Sequence, residues 1–208
     1  MTGFPPGVVT PPFTIHAGDA VAAQAQVDLT TAYNAAAALA PTQDLSGMNL
    51  GGMVLLPGVY FFSSSAQLTG TLTLDAQGDA DAQFVFQIGS TLTTASDSSV
   101  SVINTGGELP GCNVFWQVGS SATLGTGTDF AGHILALTSI TLNTDASIIN
   151  GSALARNGAV TLDSNTIVNC VDVAAVPEPA ASTLALICGP ILGVVALARG
   201  RRLGRAAS

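Results

Sequence analysis

Lysine is missing altogether, and only 9% of the 208 residues carry charge, against roughly 25% in an ordinary globular domain. Arginine is nearly missing too. Four of the five, Arg199, Arg201, Arg202 and Arg205, lie in the closing stretch "ARGRRLGRAAS". Through residue 176, Arg156 stands alone against 12 acids (the 13 of the chain less Glu178), a formal balance of −11. Such a surface offers nothing to phosphate, which excludes nucleic acid and an anionic membrane as partners of this segment. Histidine is limited to His16 and His133, so near-neutral bases are scarce, and His133 in "GHILAL" reads as a surface or corner residue. No GxSxG, CxxC, HExxH or Gly-rich phosphate loop occurs. Asp75, Asp79 and Asp81 fail the Ca²⁺-loop spacing and read as a solvated turn; Asp97 and Asp129 read as ordinary turn residues. These absences point away from an enzyme and call for no metal or cofactor.

What is present is apolar and β-forming. Hydrophobic residues make up 48%, which argues against disorder. With 23 Gly and abundant Ser and Thr, the composition suits an all-β chain with many tight corners. One strong helix is expected over about residues 19–39, in "GDAVAAQAQVDLTTAYNAAAAL". It is Ala-rich, has Asp19 at its start and stops before Pro41. Val21, Ala25, Leu29 and Tyr33 recur at i+4 as a stripe for lying against something flat.

After the helix the sequence repeats itself. "FVFQIGSTLT" from Phe84 returns as "VFWQVGSSATL" from Val114, an offset of 30, while Ala122 to Ile140 is 18 residues and Ile140 to Val160 is 20. Short strands at a period near 20 read as coils of a β-solenoid, with like apolar residues stacked inside. A β-sandwich competes with this reading but would not give so regular an offset. A solenoid lyase would need clustered acids with basic catalytic residues, which one Arg cannot supply. Aligning the coils on "TL" sets Thr94, Thr126, Thr144 and Ser164 in one file, with Ser96, Thr128, Ala146 and Thr166 in a second file two residues on. Threonine is stiff at χ1, and stacked strands repeat at ~4.7 Å, which approaches a lattice repeat of ice. Each contact is weak, but many act together.

Cys112 and Cys170 either form a pair or are two unrelated thiols; a disulfide is favoured if the chain is exported. Cys188 sits in an apolar run. That run belongs to "VPEPAASTLALICGPILGVVALARGRR", which begins at Val176. Nineteen uncharged residues, Ala180 to Ala198, span roughly 28 Å as a helix, about the thickness of a bilayer core. The Arg cluster behind them fits a cytoplasmic stop. The stretch resembles the PEP-CTERM sorting signal of Gram-negative bacteria. That resemblance implies processing near Pro177, Glu178 and Pro179 by an exosortase-type enzyme, and transient membrane insertion; a plain anchor would make the insertion permanent. The expected location is secreted or at the cell surface, by way of the inner membrane. "MTGFPPGVVTPPF" carries no basic start or apolar h-region, so the true N-terminus is expected to lie upstream.

The blocks "TGFPPGVV", "AVAAQAQVDLTTAYNAAAAL", "LPGVYFFSSSAQLTGTLTLDAQGD", "CNVFWQVGSSATLGTGTDFAGHILALTSITLNT" and "NGAVTLDSNTI" resemble the microbial ice-binding proteins over about Thr2 to Cys170. The resemblance implies a mainly β fold. It would be a right-handed, discontinuous solenoid of triangular section, with one long helix packed alongside, over residues 1–175; residues 176–208 form the sorting tail with its hydrophobic helix. It also implies adsorption to ice by a monomer, with inhibited growth and recrystallisation. More active relatives carry a Thr-Ala/Gly-X-Thr/Asn repeat. Here the places read Thr94-Ala95-Ser96-Asp97, Thr126-Gly127-Thr128-Asp129 and Thr144-Asp145-Ala146-Ser147. The leading Thr is kept while the last place is Asp, Asp and Ser, so moderate activity is expected. The expected ice-facing residues are Thr94, Ser96, Thr126, Thr128, Thr144, Ser147, Ser164 and Thr166. The alternative function is a structural or adhesive solenoid of the extracellular matrix.

Overall fold

In a computed structural model of the chain, residues 14–170 are described. The tail motif Pro177–Pro179 and the run 180–198 lie outside them. The helix, α1 (Ala20–Ala37), is capped by Asp19, whose carboxylate accepts the Ala22 N–H at 2.9 Å. This satisfies one of the first-turn donors that a helix leaves unpaired. At the other end the Ala38 N–H reaches the carbonyls of Asn34 and Ala35.

The rest of the described chain is fifteen short strands, all in parallel pairs. They fall into three runs by their pairing. The first run joins β1 (Gln43–Asp44), β3 (Gly58–Phe62), β6 (Phe84–Ile88) and β9 (Val114–Val118) to the C-terminal halves of β11 (Asp129–Ala136) and β13 (Ser147–Ala155). The second joins β4 (Ala66–Leu68), β7 (Leu92–Thr94), β10 (Ala122–Leu124), β12 (Ile140–Leu142) and β14 (Val160–Thr161). The third joins β2 (Val54–Leu55), β5 (Thr71–Asp75) and β8 (Ser99–Ile103) to the N-terminal halves of β11 and β13, then to β15 (Thr166–Val168).

The chain visits the runs in that order, coil after coil: 43–55, 58–75, 84–103, 114–131, 133–149 and 152–168. All-parallel pairing excludes the antiparallel sandwich. The coils stack in chain order, so the interruption of winding expected from the resemblance is not found among the described residues.

Between the runs lies an apolar core in which like residues sit on like. Tyr60, Phe86 and Trp116 share one register position, and their rings stack with centroids 5.3 Å and 3.9 Å apart. Phe130, across the same coil on the third run, tilts against Trp116 at 4.9 Å, and the next coil sets Ile134 on Trp116. Such pairs contribute about 0.5–1.5 kcal/mol beyond their area burial. The buried Trp116 N–H is satisfied by the Ala131 carbonyl at 3.0 Å. At the corner from the third run to the first, coils approach too closely for a side chain. A Cβ on Gly151 would lie 2.0 Å from the Gly132 carbonyl oxygen, and Gly132 itself has φ +102°. Ile149 pairs with Val168, so two residues further on, the counterpart of Gly151 is Cys170.

The helix lies on the first run by its C-terminal half only. Leu29 and Tyr33 pack on Leu135 with Phe115 and Leu137. Gln87 donates to the carbonyls of Ala36 and Leu39, both at 2.8 Å, and Arg156 stands 4.7 Å over the Tyr33 ring. Val21 is 56% exposed and Ala25 is also exposed, so the first half of the expected stripe overhangs.

Cys112 and Cys170 are joined by a disulfide that closes a 58-residue separation. His133 lies beside it on the first run. Its ring stacks on Phe115 at 5.4 Å, Nδ1 is 2.9 Å from Ser152 Oγ and Nε2 is 3.9 Å from Cys170 Sγ. Burial holds its pKa below the ordinary 6.5.

Two predictions follow from these side chains. Reducing the disulfide should lower the unfolding free energy by about 4 kcal/mol in the chain-entropy account, measured by urea denaturation with and without reductant; unchanged stability would contradict it. Because the unfolded chain takes up the His133 proton first, stability should fall as pH drops below about 6.5. His133→Phe should flatten that part of the profile, and an equal slope in both proteins would contradict the assignment.

Candidate functional site

The corner from the second run to the third is where the sequence placed its hydroxyl files. Thr93 pairs with Thr123 and Leu68 with Thr94, so the next step of that register sets Thr94 beside Leu124. Thr94 therefore takes an inward place held by leucine in neighbouring coils. It is 3% exposed and Thr128 is fully buried. The two hydroxyls lie 2.8 Å apart; Thr94 Oγ1 also accepts the Gly125 N–H at 2.8 Å, and Thr128 Oγ1 donates to the Ala95 carbonyl at 3.2 Å. Neither faces solvent, which corrects the expected files. Aligning on "TL" matched Leu92 to Leu124, an offset of 32, while the pairing keeps the offset of 30 seen between Phe84 and Val114. The slip of two arises because a threonine fills a leucine place, and its hydroxyl is made tolerable there by a buried partner.

The exposed corner file is Ser96, Thr126 and Thr144, followed by Asp163. Backbone bonds fix this alignment: the Asp97 N–H reaches the Thr126 carbonyl at 2.9 Å, Gly127 reaches Thr144 at 3.0 Å, and Asp145 reaches Asp163 at 3.2 Å. Thr126 and Thr144 thus stand in one file as expected, joined by Ser96 rather than Thr94. Ser164 belongs with Asp97, Gly127 and Asp145. Those four have φ of 56°, 56°, 65° and 60° respectively, a left-handed turn that Gly, Asn and Asp tolerate best. Ser147 and Thr166 stand on the third run with Thr71, Ser99 and Asp129 as their file-mates. Neighbours in that file bond to each other: Thr71 and Ser99 hydroxyls are 2.8 Å apart, and Ser147 donates to Asp129 at 2.9 Å.

A further hydroxyl ladder escaped the sequence reading. The middle residue of each second-run strand points outward, and in register these are Gln67, Thr93, Thr123, Thr141 and Thr161. Beside them, two residues earlier in the chain and just before each strand, stand Ser65, Thr91, Ser121 and Ser139; Thr91 donates to Ser65 at 2.8 Å. Thr93 and Thr161 are exposed, while Thr123 and Thr141 are half-buried in the wall. No charged side chain occupies either ladder. The signal was present in the alternation "SITL", "SATL" and "TLTT", in which the residue before the inward one faces out. On the third run Gly111 comes down against Ala131, which is 6% exposed, while the outward places of that run also hold exposed apolar residues such as Val54 and Ile149.

The carboxylates serve turns. Asp75 accepts from Asn104 and the Gln77 N–H, which together lower its pKa, and Asp79 accepts the Asp81 N–H. Among the described residues, no three His, Cys, Asp or Glu side chains converge as a metal site would require, and no helix is long and apolar enough to cross a membrane.

A family model described as ice-binding-like matches residues 1–168. An ice-binding protein of Nostoc sp. (strain HG1) is 57% identical over 208 residues, covering 98% of this chain and 75% of the relative. Ice-binding protein 1 of Shewanella frigidimarina is 35% identical over 168 residues, 78% of this chain and 18% of that longer protein. Among solved structures, an ice-binding protein from the ascomycete Antarctomyces psychrotrophicus superposes with TM-score 0.74 at 45% identity, covering 79% of this chain and 78% of that one. One from an Antarctic biological consortium gives 0.73 at 48% identity, covering 79% and 73%.

Proposed function

The chain belongs to the ice-binding-like family, and we propose that it adsorbs to ice through the hydroxyl wall formed by the second run and its corner. The observation that carries this reading is the file Thr93, Thr123, Thr141 and Thr161, one threonine on each of four successive paired strands. Parallel strands hold such residues ~4.7–4.9 Å apart, and each threonine offers a methyl and a hydroxyl on a side chain stiff at χ1. Little rotamer freedom is left to lose when a lattice forms against it. Cations, whose desolvation opposes an ordered contact, are absent from the wall. Ser96, Thr126 and Thr144 extend it around the corner, and Ser147 and Thr166 extend it onto the third run. Asp129 and Asp163 interrupt these flanking files, which supports moderate rather than high activity.

Adsorption requires no chemistry, in keeping with a chain that acts as a monomer on the ice surface and is not an enzyme. We read the winding as right-handed and triangular in section. The tail from Val176 we read as a sorting address: an exosortase-type enzyme would act near Pro177–Pro179 after residues 180–198 have entered the inner membrane, leaving the solenoid outside the cell or on its surface. The two acids in the flanking files favour a second reading, an adhesive matrix solenoid that no longer binds ice.

An ice recrystallisation assay separates the two. At micromolar protein, grain coarsening should stop, and unchanged coarsening would leave the matrix reading. Thr141→Tyr and Thr144→Tyr should each reduce activity to below about a tenth, since one protruding ring lifts many individually weak contacts off the lattice. Their circular dichroism should be unaltered, and full activity in both variants would show that another surface is used.

A further inference from the structure

We infer that Thr94 and Thr128 are positioning residues for the proposed adsorbing corner, acting from inside the coil stack without touching ice. This rests on the adsorption reading above. The corner turns through left-handed residues, and beneath the Ser96 and Thr126 hydroxyls the backbone bond from the Asp97 N–H to the Thr126 carbonyl at 2.9 Å ties one coil to the next. The order of those hydroxyls depends on this bond together with the side-chain links beside it. Side chains add links to those of the backbone. Between the first and second coils, Asn49 accepts the Thr69 N–H at 3.0 Å and donates to its hydroxyl at 3.1 Å. Between the second and third, Ser98 donates to the Leu68 carbonyl at 3.1 Å and accepts from Gly70. Between the fifth and sixth, Asn165 donates to the carbonyls of Asn143 and Ala146 at 2.7 Å and 2.9 Å.

The third and fourth coils, which carry Ser96 and Thr126, have a two-sided clasp. Thr128 gives its proton to the Ala95 carbonyl, so Thr94 donates the shared bond and accepts the Gly125 N–H. The clasp thus grips Ala95, next to Ser96, and Gly125, next to Thr126. A hydroxyl in a leucine place, as at Thr94, is an unfavourable choice for burial alone. It is explained if what it secures is the spacing of the two exposed hydroxyls above it. Gly125 fits the same account: a Cβ there would lie 2.7 Å from the Thr94 carbonyl oxygen, so the coils meet at this point with no room for adjustment.

The test compares Thr94→Val, which keeps shape and removes the hydroxyl, with Thr94→Ser, which keeps the hydroxyl. Hydrogen exchange at the Gly125 N–H should quicken about fivefold in T94V, the factor carried by one net hydrogen bond. Thermal hysteresis just below 0 °C, where both variants are fully folded by circular dichroism, should fall about two- to threefold in T94V and return in T94S, as expected of a site that tolerates little displacement. A purely stabilising role would lower the melting temperature and leave hysteresis per folded molecule untouched. If T94V does not fold, Thr128→Val removes the other half of the same bond and must show the same loss. Hysteresis in T94V or T128V equal to wild type overturns the inference alone. A wild-type chain with no ice activity removes the adsorption reading and this inference with it.

Discussion

In-register stacking of one coil on the next is the constraint from which the rest of this molecule follows. Once parallel pairing sets a coil directly on its predecessor, every side chain meets its counterpart in the coil above and below at under 5 Å. Inside, that demands like shapes, met by the Tyr60–Phe86–Trp116 column. At the tightest corner it demands no side chain at all, met by Gly132 and Gly151. Outside, it turns any repeated residue into a straight file.

The same constraint explains the poverty of charge. Like charges on directly opposed strand positions are destabilising, and in a stack each file would repeat the offence at every coil. The acids that do occur are spaced out. Asp97 and Asp145 are separated by Gly127 in the left-handed corner file, and Asp129 lies between Ser99 and Ser147. Serine and threonine escape the penalty because adjacent hydroxyls can bond to one another, as Thr71 with Ser99 and Thr91 with Ser65 do. A stack with one run hidden under a helix and the others exposed therefore arrives at a flat, neutral, hydroxyl-bearing wall. Such a wall suits a partner that is itself a periodic array of water.

Much of this was legible in the sequence. The helix from its alanines, the coils from their recurrence, and the 30-residue offset from Phe84 to Val114 all appear in the fold. The register of one coil did not, because apolar pattern matching treats leucine as the mark of an inward place. Thr94 is an inward threonine whose buried partner, Thr128, is 34 residues away, and no local pattern announces such a pair. The same slip sets Thr91 in the place that Thr93 holds in the second-run ladder. The alternation places Thr93, Thr123 and Thr141 outward, but only correct pairing sets them in one file. The overhang of Val21 was also illegible, since a stripe states what a helix could bury and not how long its seat is.

Register is also what a single measurement can decide most directly. In a chain with Cys188→Ser, the pair Thr93→Cys and Thr123→Cys stands on directly paired positions, within the ~4.4–6.8 Å Cα separation a disulfide needs, and should oxidise fully under mild conditions. The pair Thr91→Cys and Thr123→Cys, which the slipped alignment would set side by side, is two residues out of step and should stay reduced. The reverse outcome would mean that the coils do not stack as described, and the hydroxyl wall would go with them.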